Sequence, residues 1–65
     1  MIDDLTKEFI MKLARYSRNE AFLITALASL DEPYQKRQLI NYLDSHKDAT
    51  TTDINIEILK IEGSI

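Results

Sequence analysis

The sequence predicts an all-α protein, a small bundle of three to four short helices over about residues 3–16, 18–30, 33–46 and 52–61, forming one domain across residues 1–65. Three observations carry this. A single glycine, Gly63, and a single proline, Pro33, interrupt the chain, which suits a few helices with short connections better than a sheet with many turns. Apolar residues recur at helical spacing in the first and third segments. Two start signals, Ser17-Arg18-Asn19-Glu20 and Asp31-Glu32-Pro33, divide the chain into pieces of helix length.

In the first segment Leu5, Phe9, Leu13 and Tyr16 form a stripe that Ile10 and Ala14 widen, so Phe9 and Tyr16 are expected in the core. Asp4, Lys7, Glu8, Lys12 and Arg15 fill the opposite face, with Glu8 and Lys12 in the favourable i,i+4 order. Met11 falls on that charged face and has no core role. Ser17 and Glu20 have capping-box spacing, which ends the first helix near Tyr16 and starts the second at once. The second helix is apolar almost all round. Leu23, Leu27 and Leu30 with Ile24 make one broad face, Ala21 and Ala28 allow close approach on another, and Arg18, Thr25 and Ser29 form a thin polar stripe. A helix of this kind is expected at the centre of the bundle.

Pro33 suits a first helical turn, where its missing amide would be unpaired anyway, and Asp31 and Glu32 complement the helix dipole there. Leu39, Ile40 and Leu43 form the core stripe of the third helix. Lys36 lies along it and can snorkel, Arg37, Asn41, Asp44 and Ser45 face water, and Tyr34 points away. The last segment is two-faced. Ile54-Asn55-Ile56-Glu57-Ile58 alternates as a strand does, but the alternation breaks at Ile58-Leu59 and no partner strand is evident. A helix is preferred, with Ile54, Ile58 and Ile61 on one face and Ile56 and Leu59 on a second.

Composition narrows the chemistry. The chain has no cysteine and one histidine, so disulfides and thiolate or multi-histidine metal sites are excluded. No cofactor and no metal are expected. Asp3-Asp4 and Asp31-Glu32 fall at helix starts, where capping explains them, and Asp44, Asp48 and Asp53 lack calcium-loop spacing. Asp44, Ser45 and His46 gather triad residue types, yet neighbouring positions on a helix diverge, so no catalytic residue is assigned and no enzyme is expected. The acidic start of the chain and the lack of a long apolar run point away from a secretory signal and a membrane, and cytoplasmic is the default location.

The net charge of −3 sits in the second half, where four bases face seven acids across residues 31–65. That balance disfavours nucleic acid. Residues 38–61 nevertheless resemble the last two helices of a helix-turn-helix domain, which would make Thr51 to Ile61 the recognition helix. This resemblance implies an alternative function as a DNA-binding regulator, but the helix would present Asp53, Asn55 and Glu57 to the groove with Lys60 as its one base. Arg15, Arg18, Lys36 and Arg37 would make an anion patch only if the helices gathered them, and scattered surface charge is the simpler reading.

A chain this short buries only about 60% of its unfolded surface. With no disulfide or metal as a staple, self-association is a natural source of further burial. The expected function is that of a non-catalytic protein–protein interaction module or small regulatory protein, a homo-oligomer (a dimer by preference) that also binds a protein partner of unknown identity. The interface for self-association and partner binding is expected on the last segment, with Ile56 and Leu59 as partner-contact residues, joined by Met11 and Tyr34, which lie off the core stripes.

Overall fold

The computed structural model describes residues 3–63, and these form α1 (Asp4–Ala14), α2 (Glu20–Ser29), α3 (Pro33–Ser45) and α4 (Thr51–Glu62). The all-helical prediction holds, including the isoleucine-rich last segment. Its ends explain why helix wins there. The Thr50 hydroxyl accepts from the Asp53 amide at 3.2 Å while the Asp53 carboxylate accepts from the Thr50 amide at 3.1 Å, a reciprocal cap that satisfies donors a strand would leave free. Gly63 closes the other end at φ 84°, and its N–H reaches the Lys60 carbonyl. Glycine suits that left-handed position because it has no Cβ to clash.

The start of α2 differs from the Ser17–Glu20 capping box. The Ser17 amide still donates to the Leu13 carbonyl at the end of α1, so Ser17 finishes one helix and does not begin the next. Asn19 is the cap: its Oδ1 accepts from the Ala21 and Phe22 amides at 2.9 and 3.3 Å. Asparagine is as good a cap as serine, and the helix starts at Glu20. The remaining starts follow expectation. Asp3 caps α1 through the Thr6 amide at 2.7 Å, and Pro33 opens α3 while the Gln35 side chain accepts from the Glu32 amide.

α1 pairs most extensively with α3, α3 pairs with α4, and α2 touches α1 and α4, so the helices form a ring in the order α1, α3, α4, α2. The radius of gyration is 10.6 Å, against about 10.7 Å for a compact chain of this length. Phe9, Leu13, Ala26, Leu30, Leu39, Ile40, Leu43, Ile54 and Ile58 fill the centre. Two ion pairs stitch α1 to α3, Lys12 to Asp44 at 2.6 Å and Arg37 to Glu8 at 3.7 Å, with the anticipated Glu8–Lys12 pair at 4.0 Å beside them.

The centre of the bundle is not α2. α3 buries five residues, Gln35, Lys36, Leu39, Ile40 and Leu43, whereas α2 buries Ala26 alone and its cap Leu30. Four short helices around one core give each helix a single inner face. An all-round apolar helix therefore keeps its outer half in water, and among the described residues no second layer covers it.

Candidate interaction surface

The outer face of α2 is built by Ala21, Ile24, Thr25 and Ala28, at i, i+3, i+4 and i+7, all of them exposed. Ile24 is 63% exposed, although its sequence position suggested the core face. Half-buried Leu23 and Leu27 flank the stripe on the side that turns towards the core. No charged residue interrupts it. Exposed Arg18 precedes the helix, exposed Glu20 opens it and exposed Asp31 follows it. Neither Arg18 nor Asp31 has an ion-pair partner among the described residues.

The four partner-contact residues read from the sequence are all exposed. Met11 and Tyr34 are each 63% exposed, and Ile56 and Leu59 are 43% and 38% exposed. They lie on three helices. Ile56 and Leu59, one turn apart, share the solvent side of α4, opposite buried Ile54 and Ile58. Met11 sits in a shallow depression along α1 among Asp4, Lys7, Glu8 and Arg15, so charges ring it. Tyr34 stands on the first turn of α3. Sequence reasoning missed Ile24. The signal was present in the uniform apolarity of α2, which needs two burying surfaces where a single-core bundle has one.

The basic residues do not gather as an anion patch of Arg15, Arg18, Lys36 and Arg37. Arg37 engages Glu8, and Lys36 is buried along the α3 core stripe. Arg15 instead lines a depression with Lys12, Tyr16, Leu43, Asp44 and Lys47, where α1 and α3 both end. Cations at two helix C-termini complement the dipoles there. Within this depression the Lys12 ammonium donates to Asp44 and holds its carboxyl below the usual aspartate range. The Tyr16 hydroxyl donates to the Leu43 carbonyl at 3.0 Å and the His46 carbonyl at 3.3 Å. His46 stacks on Tyr42 with ring centroids 4.2 Å apart, and its Nδ1 lies 2.9 Å from the Tyr42 carbonyl oxygen. Burial raises the Tyr42 phenol above its ordinary value, helped by the nearby charges of Asp53, Glu57 and Asp48. Asp44 and His46, adjacent to Ser45, are thus turned to different partners.

Among the described residues no three His, Cys, Asp or Glu side chains cluster as a metal site, and no helix is long and apolar enough to cross a membrane. No family model matches the chain, and no curated protein or solved structure is significantly similar to it.

Proposed function

We propose that this chain is a non-catalytic interaction protein, a small regulator that works through self-association and through binding a partner protein. The observation that carries the reading is the outer face of α2, an uncharged helix surface centred on exposed Ile24. Full burial of an isoleucine side chain is worth about 1.5–3 kcal/mol, and Ile24, 63% exposed, leaves the larger part of it unused in the isolated chain. Ile56 and Leu59 on α4 form a second apolar pair available to a partner protein, with Met11 and Tyr34 as outlying contacts.

The alternative, a DNA-binding regulator using residues 38–61, gains less support. α3 and α4 are consecutive helices packed together, but Asp53 lies in the first turn of the second helix and Lys60 is its one base. Retention on duplex DNA at low salt, lost as salt rises, would favour that alternative.

Sedimentation equilibrium from about 1 to about 300 µM tests the first reading. The wild type is expected to associate with rising concentration, and Ile24→Glu to remain monomeric with unchanged helicity. A wild type that stays monomeric throughout refutes self-association.

A further inference from the structure

We infer that a second copy of this chain docks on the outer face of α2 in antiparallel orientation, with Arg18 of each protomer against the partner subunit's Asp31. This rests on the self-association proposed above and specifies its geometry.

The first ground is spacing. Ala21, Ile24, Thr25 and Ala28 are placed symmetrically about the midpoint between positions 24 and 25. A two-fold axis through that midpoint sets Ala21 against the partner subunit's Ala28 and Ile24 against the partner subunit's Thr25. Isologous contacts of this kind require a self-complementary surface. Here small side chains meet near each end and the isoleucines meet beside the axis, so the two helices can approach closely.

The second ground is charge. Arg18 precedes α2 and Asp31 follows it, so antiparallel pairing brings Arg18 to the same end as the partner subunit's Asp31, both exposed and without an ion-pair partner among the described residues. A parallel pairing would set Arg18 against Arg18, Glu20 against Glu20 and Asp31 against Asp31, three like-charge contacts. Antiparallel alignment also opposes the two helix dipoles favourably. The charges flanking α2 thus select one orientation, the stripe spacing selects the register, and a second copy supplies both halves of the complement.

The third ground is size. α2 has ten residues and is about 15 Å long, so its outer face offers only a few hundred Å² per protomer. That is less than the roughly 800 Å² per partner of a standard stable interface. The dimer is therefore of the weak, concentration-dependent kind.

The chain has no cysteine, so introduced thiols report the register cleanly. Ala21→Cys and Ala28→Cys lie at exposed positions and leave the core intact. Mixed and mildly oxidised, they should give a disulfide-linked heterodimer, and neither variant alone should cross-link. Self-linking of Ala21→Cys indicates a parallel pairing and overturns the inference. A wild type that dimerises in sedimentation while no mixture cross-links places the interface elsewhere, which overturns the inference and leaves self-association standing. A monomer at every concentration overturns both. As an independent readout, Arg18→Asp should weaken dimerisation about tenfold, and adding Asp31→Arg should restore it. Failure of the double variant to recover refutes the charge pairing.

Discussion

Tyr16 joins two helices that are far apart in sequence, and removing one atom from it tests how the bundle is closed. Its residue lies just beyond α1, and its hydroxyl donates to the Leu43 and His46 carbonyls at the end of α3. Each of these carbonyls keeps another donor in Tyr16→Phe, because the His46 amide reaches Leu43 and the Ala49 amide reaches His46. No acceptor is orphaned, so the loss is that of an ordinary net hydrogen bond, about 1 kcal/mol. The ring stays and the packing around it is unchanged. For a domain of this size 1 kcal/mol lowers the melting temperature by about 4–8 °C. Urea unfolding followed by circular dichroism should show a lower midpoint with an unchanged slope. A Tyr16→Phe variant within about 0.3 kcal/mol of wild type would refute the claim that this hydroxyl ties α1 to the end of α3.

Two further outcomes concern the helix ends and the acid range. Thr50→Ala removes the hydroxyl that caps α4 and should cost about 1 kcal/mol in urea unfolding; no loss would mean that Asp53 and water satisfy the helix start unaided. Asp44 and Asp3 both titrate below the ordinary carboxyl range, Asp44 through the hydrogen bond from Lys12 and Asp3 through the Thr6 amide. A depressed folded-state value means that each group contributes stability at neutral pH, and that the contribution is lost as pH falls through the acid range. Asp44→Asn should therefore flatten the fall of melting temperature below about pH 4, and an unchanged profile would remove Asp44 from the account.

The exposed surface proposed as an interface was only partly legible before the fold was known. Met11, Tyr34, Ile56 and Leu59 each lie off a helical stripe, and each is exposed as that position implied. Ile24 was not legible in the same way. Where almost every position of a helix is apolar, periodicity cannot say which side turns inward, and Ile24 is a neighbour of both Leu27 and Ala28 on the helical wheel. The cap of α2 was ambiguous for a related reason. Ser17 and Asn19 are both good caps two residues apart, and the choice fell to Asn19 because the end of α1 already holds the Ser17 amide.

What the sequence determined alone was local: an all-helical chain of three to four helices, breaks near Ser17 and at Pro33, and the inward stripes of α1 and α3. These rest on contacts within a few residues, such as caps, backbone restriction and side chains one turn apart. Which helix lies deepest was a tertiary decision. It follows from how four short helices share one core, with α3 touching α1 and α4 while α2 bridges the other side of the ring. That arrangement turns Ile24 outward, and no local interaction within α2 distinguishes the two faces that the ring separates.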